Sequence, residues 1–187
     1  MRLRIAPPYV LPMSAYGQNP QPFAPAPTGG AAANPIIKNL LLAGIGGSAL
    51  ALLGSFLAWT SVDVEGTSDT VSGLDGDGMF TLITSLLALG LLAFGLVKQN
   101  LMAAAGSIVP SLVTLVFGVL NFLDPEKLAR TYVEDETGGE LSGEQLDGFM
   151  EGIDFSSAFG VWIVVLGSLV AVAAAGVLAT KARAPQQ

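Results

Sequence analysis

The chain has 187 residues, 51% hydrophobic and only 12% charged, with a formal net charge of −7 and a mean hydropathy of +0.61. Soluble domains carry about 25% charged residues, so composition alone points to a membrane. The chain has neither cysteine nor histidine, which excludes disulfides, thiol nucleophiles, histidine acid–base chemistry and thiolate or imidazole metal sites. Only oxygen-ligand sites for hard cations stay open.

The first 35 residues hold eight of the eleven prolines, with Gln, Ala and Gly between them. QNPQPFAPAPTGG predicts a disordered, partly polyproline-II cytoplasmic tail, a solvated leader rather than a docking strand for a proline-recognising partner. No apolar run long enough for a signal-peptide core precedes Ile36, so no cleaved signal is expected, and Met13 offers a second candidate start. Residues 36–59 are the first of four stretches that supply the roughly 20 apolar residues a spanning helix needs. Lipid gives helices no hydrophobic reason to associate, so packing relies on small residues that let backbones approach. Gly47 and Gly54, a heptad apart on one face, predict such a seam.

The loop 60–77 alternates Val62 and Val64 with Asp63 and Glu65, then runs through Gly66 to Thr70 and Val71, the pattern of a short β-hairpin. It closes with GLDGDG, from Gly73 to Gly78. An EF-hand loop needs acids at its first, third and fifth positions, then a glycine and a later bidentate Glu. Asp75 and Asp77 supply two of these and no Glu follows, which leaves them weak cation candidates. The simpler role makes Asp77 the N-cap of the next helix, with the glycines turning the chain tightly into the membrane.

Residues 78–97 form the second span and 101–123 the third, and the Lys98-Gln99-Asn100 turn between them forces antiparallel neighbours. Pro110 predicts a structural kink in the third span, with Ser107 or Ser111 re-satisfying a freed carbonyl. The loop 124–158 opens with Asp124 as N-cap and Pro125 at the first helical position. It predicts two short acidic amphipathic helices divided at Gly138-Gly139, the first edged by Leu128, Tyr132 and Val133. Ser142 and Gln145 stand at capping-box spacing before the second, whose apolar side carries Leu146, Phe149, Met150 and Ile153. Leu128, Tyr132, Leu146, Phe149, Met150 and Ile153 are therefore candidates either to cover the span ends as a lid or to contact a partner. Residues 159–180 form the fourth span, where Gly160, Gly167 and Ala171 offer a second small-residue seam, and 181–187 are a short cytoplasmic tail.

All fifteen acidic residues lie between Asp63 and Asp154, in two loops whose only basic residues are Lys127 and Arg130. The other six basic residues lie in the tails, at the start of the first span and in the short turn. The positive-inside rule then puts both termini in the cytoplasm and the acidic loops outside. The expected fold is an all-α membrane protein of the plasma membrane. Its four transmembrane helices form an antiparallel bundle, with a short outer β-hairpin-like loop and an outer acidic helical loop. Beyond Lys38, at the entrance of the first, no span carries an ionisable residue, whereas membrane catalysis and ion coupling usually depend on one. There is no nucleophile–base pair, no phosphate-binding loop and no basic nucleic-acid footprint, so no enzyme activity, cofactor or nucleic-acid partner is expected.

The YGQNPQP tail, a first span ending GSFLAWTSV and the GLDGDG entry to the second span resemble small four-span membrane proteins of actinobacteria with Pro/Gln/Gly-rich N-terminal tails. The resemblance covers about the first half of the chain and implies topology and envelope location, with no activity and no functional residue. Tetraspanins and claudins share the four-span plan, but their cysteine pairs have no counterpart here. The expected function is a non-enzymatic integral membrane protein, an accessory or assembly subunit of a cell-envelope complex. Its partners would be the lipid bilayer and other membrane proteins or further copies of itself. The alternatives are a small oligomeric channel or transporter and an outward-facing sensor of cations or envelope state.

Overall fold

The computed structural model describes residues 34–64, 66–140 and 143–183. The expected disordered tail and the Ser142 half of the expected capping box fall outside these residues. Helix α1 (Pro35–Gly54) starts where Asn34 Oδ1 accepts the Ile36 N–H at 3.0 Å and Pro35 occupies the first turn. It stops at Gly54, not at Trp59 as the apolar run suggested. Ser55 Oγ bonds the Ala51 carbonyl at 3.1 Å and the Thr81 hydroxyl at 2.8 Å, and the chain then leaves as strand β1 (Ala58–Val64). Trp59 belongs to that strand. Its indole N–H needs an acceptor once buried, and donates back to the Gly54 carbonyl at 2.9 Å.

Strand β2 (Thr67–Ser72) pairs antiparallel with β1, setting Val62 opposite Asp69 and Val64 opposite Thr67, as the hairpin reading expected. A third strand, β3 (Asp154–Ser157), pairs with the other edge of β1 and gives the order β2-β1-β3. The acidic loop therefore carries a strand as well as helices, which corrects its all-helical reading. A lone hairpin is marginal in water, and a third strand with helical support is what makes such a sheet stable.

Helix α2 (Gly78–Lys98) ends at Gln99, whose φ is 52°, and Asn100 Oδ1 caps α3 (Leu101–Gly106) by accepting the Met102 and Ala103 N–H groups. Upstream of Pro110, α3 gives way at Ser107 to α4 (Ile108–Leu123), and Ser107 Oγ takes up the Ala104 carbonyl at 2.6 Å. Helix α5 (Pro125–Glu136) is capped by Asp124, which accepts the Lys127 N–H at 3.2 Å, and is followed by Gly138 and Gly139, both at positive φ. Helix α6 (Glu144–Met150) is shorter than expected, opens at Gly143 without a side-chain cap and leaves Ile153 beyond its end. Helix α7 (Phe159–Arg183) continues past Thr180. Four helical stretches, Pro35–Gly54, Gly78–Lys98, Leu101–Leu123 and Phe159–Arg183, are long and apolar enough to cross a membrane.

Helix α1 packs on α2 and α7, and α4 packs on the same two helices. The interior they share is rich in glycine, alanine and hydroxyls: Ser48, Thr81, Ser85, Ser111, Thr114 and Ser168 are all buried, with Leu41, Leu92, Val164 and Leu178 among them. Many of the large side chains face the other way. Leu53, Phe80, Leu86, Phe94, Val116 and Leu166 are each half exposed or more. This reverses the soluble pattern of large apolar residues inside, and it suits helices whose solvent is lipid. Thr81, Ser85, Thr114 and Ser168 bond one another or the preceding turn, as where Thr114 Oγ1 lies 2.7 Å from Thr84 Oγ1 and donates to the Pro110 carbonyl at 3.0 Å, while Ser48 and Ser111 have no partner among the described residues.

The tightest contact joins α1 to α7. A Cβ placed on Gly47 would lie 2.5 Å from the Gly167 carbonyl oxygen and 2.9 Å from the Ala171 nitrogen, and one on Gly167 would lie 2.6 Å from the Gly47 oxygen. A Cβ on Gly54 would lie 3.0 Å from the Gly160 oxygen. The two predicted seams are therefore halves of one contact, with backbone against backbone. Gly167→Ala is expected to destabilise the protein by about 1–3 kcal/mol, because backbone atoms cannot rotate aside. Gly46→Ala and Gly176→Ala, with nothing within 4 Å of the added methyl, should be neutral or stabilising by up to about 1 kcal/mol. Denaturant titration of the three variants in detergent micelles separates these outcomes.

Candidate functional site

The helix ends that carry the long loops support a small module built from the three-stranded sheet, α5 and α6. Its foundation is Trp59, wholly buried among Val71, Leu128, Val161 and Val164. Main-chain and hydroxyl bonds tie the module together, Gly73 N–H to the Leu57 carbonyl at 3.0 Å and Thr60 Oγ1 to the Pro125 carbonyl at 3.0 Å, and Ser157 Oγ fixes it to α4 through the Phe122 carbonyl at 2.8 Å. Leu128 and Leu146 are buried in the module's own core, so their part is that of the lid.

The GLDGDG segment proves to be a packing junction. None of its glycines has positive φ, so tight turning is not what they supply. A Cβ on Gly73 would collide with the Trp59 indole, one on Gly76 with Leu128, and one on Gly78 with the Gly73 carbonyl. Close approach explains all three.

Asp77 also differs from expectation, for it stands at the N-cap of α2 but makes no side-chain capping bond. Its Oδ2 accepts instead from Lys127 Nζ at 2.8 Å and from Asn121 Nδ2 at 3.1 Å, which ties the entry of α2 to α4 and α5. Burial by itself pushes the Asp77 carboxyl up, but the hydrogen bonds from Lys127 and Asn121 and the ammonium charge together outweigh it and hold the carboxyl below its ordinary value. A protein cation thus occupies the position that a metal would take. Asp75 is exposed on another surface, and the two carboxylates share no contact. Among the described residues no group of three or more acidic side chains is placed to hold a metal ion. Arg130 bridges α5 to α6, donating to Glu126 at 2.9 Å and Asp147 at 2.5 Å, contacts that raise its pKa above the ordinary guanidinium value. Both basic side chains of the module are therefore engaged.

Between the sheet and the two helices lies a half-open cleft of about 390 Å³. Cross-strand partners share a face, so Val62 and Val64 look into it with Asp69 and Thr67, and Phe155 lies opposite Val62 on the other strand. Tyr132, Val133, Phe149, Met150 and Ile153 form the far wall. Tyr132 is 37% exposed and Phe149 55%, so the lid does not seal the sheet. The structure brings together four of the six predicted contact residues, Tyr132, Phe149, Met150 and Ile153, while Leu128 and Leu146 stay beneath them. Phe155 escaped sequence reasoning because β3 was not recognised. The signal was Phe155 between two exposed polar neighbours, too short a period-two pattern to read beside a helix.

No family model matches the chain, and comparison with curated proteins and with solved structures finds no match either.

The Asp77 pair gives a pH dependence of defined sign. A carboxyl held below its unfolded pKa adds stability that is fully present above that pKa, about 3.9, and is lost as pH falls through the lower folded value. The stability difference between wild type and Asp77→Asn should be constant at neutral pH, about 1 kcal/mol or less because Lys127 is half exposed, and should shrink as pH falls below about 4. Thermal unfolding of both proteins in detergent across that range is the measurement.

Proposed function

We propose that the protein is a non-enzymatic integral membrane protein of the plasma membrane whose four spans form an antiparallel bundle. Both termini lie in the cytoplasm and the sheet–helix module stands outside. Its role is that of an accessory or assembly subunit: the spans lodge among other membrane helices, and the module contacts partners. The observation that carries this reading is the inside-out packing. Many large apolar side chains ring the four helices while glycine, alanine and hydroxyls, with a few leucines and valines, fill the centre, and no ionisable group for chemistry or ion coupling lies within the bundle beyond Lys38 at one entrance. The unsealed cleft supports the partner-binding half of the proposal, since an exposed apolar surface rimmed by polar groups marks interaction sites. The position of Lys127 on Asp77 speaks against a cation sensor there.

A channel formed by several copies is the second reading.

The native chain has no cysteine, so single cysteines report orientation cleanly. A membrane-impermeant thiol reagent on intact cells should label Glu140→Cys and leave Gln187→Cys unlabelled until the cells are opened. The opposite pattern overturns the orientation. Affinity isolation in mild detergent should return stoichiometric membrane subunits, whereas a lone homo-oligomer that conducts ions in liposomes would replace the accessory reading with the channel.

A further inference from the structure

Apart from Tyr132, every polar residue lining the cleft comes from β2 or the short helical turn after it: Thr67, Asp69, Thr70 and Asp75. The remaining lining residues are apolar. The cleft is thus two-sided, with an acidic rim along one strand and a greasy wall opposite. That strand is also an edge. Among the described residues β2 pairs only with β1, and the Thr70 N–H is held by the neighbouring Asp69 carboxylate at 2.7 Å, a bond that an added strand would displace. An edge strand offers a row of backbone donors and acceptors to any extended chain laid beside it. Asp69 and Asp75 have no basic partner among the described residues, because Lys127 and Arg130 are committed to Asp77, Glu126 and Asp147.

We propose that this cleft takes an extended, basic segment of a partner protein, which adds as a strand to β2, places apolar side chains against Tyr132, Phe149 and Ile153, and sets lysine or arginine beside Asp69 and Asp75. The inference rests on the partner-binding reading of the module and deepens it by naming the partner's chemistry. Charge complementarity selects the occupant: the rim has two carboxylates and no cation, so an acidic or neutral strand is disfavoured. The open edge separates a peptide from a simple amphiphile, since only a peptide supplies a second ladder of N–H and C=O groups.

The test uses the full-length protein in lipid nanodiscs and two short fluorescent peptides in which every second residue is serine and the residues between them, all on one face of the strand, alternate valine with lysine in one peptide and valine with glutamate in the other. Anisotropy titration should show saturable binding of the lysine peptide and none of the glutamate peptide. Combining Asp69→Asn with Asp75→Asn should weaken the lysine peptide about tenfold, with the circular dichroism spectrum unchanged. Methylating alternate peptide amides, which removes the donors that a ladder needs, should abolish binding. Binding that survives methylation, or that dodecylamine matches in affinity, overturns strand addition in favour of a site for cationic amphiphiles. Equal affinity for the two peptides, or binding of neither, overturns it too. If subunits co-isolate from native membranes while the lysine peptide fails, only this inference falls. If the peptide binds as described and no subunit co-isolates, the accessory reading falls and the cleft assignment stands.

Discussion

The contact on which the rest of the molecule depends is the meeting of two backbones, Gly47 against Gly167 and Gly54 against Gly160. In lipid, apolar side chains gain nothing by turning inward, so helices associate through dispersion, weak Cα–H···O contacts and buried hydroxyl bonds, all of which need short distances. Only glycine permits carbonyl oxygens to sit where a Cβ would otherwise be. Once α1 and α7 are locked together, their loop-end termini are fixed side by side. Strand β1 leaves α1 there and β3 enters α7 there, and the main-chain bond from Ala158 to the Trp59 carbonyl at 2.8 Å follows from that proximity. The sheet is in this sense a product of the seam.

The module above the seam obeys different physics from the spans. It has a buried aromatic, a sheet with one apolar and one polar face, and helices with an apolar edge, all of which are water-soluble design. The outward sheet face bears Ser61, Asp63, Ser68 and Ser156, with the Ser68 hydroxyl bonded to Asp63. The inward face bears valines and Phe155. Trp59 lies where the two regimes meet, apolar on all sides but with its N–H returned to the last turn of α1. Asp77 and Lys127 mark the same boundary in charge, holding the mouth of α2 against α5.

How much of this could be read from the chain varies with the range of the interaction responsible. The Asp124–Pro125 start of α5 and the break at Gly138-Gly139 depend on neighbours within four residues, and both appear as the sequence suggested. The break upstream of Pro110 is local too, with Ser107 Oγ donating to the Ala104 carbonyl three residues back. Asp77 misleads because a capping bond and an ion pair to Lys127 begin from the same residue, and the winner is decided by a group 50 positions away. The same holds for the GLDGDG glycines, which look like turn formers until Trp59 and Leu128 are found against them.

From the sequence by itself came the solvent, the number of spans and the small-residue faces, because an absence of charge over the length of a helix and a seven-residue glycine spacing are properties of continuous chain. Tertiary structure alone decided that the two glycine faces meet each other, that residues 154–157 complete a sheet begun at residue 58, and that the sheet and the acidic helices enclose a cleft with one acidic edge. Those features join segments separated by up to a hundred residues or so. Pairing at that range leaves no periodic trace in either partner, since each strand or helix face is compatible with many others until the backbones that carry them have been brought together.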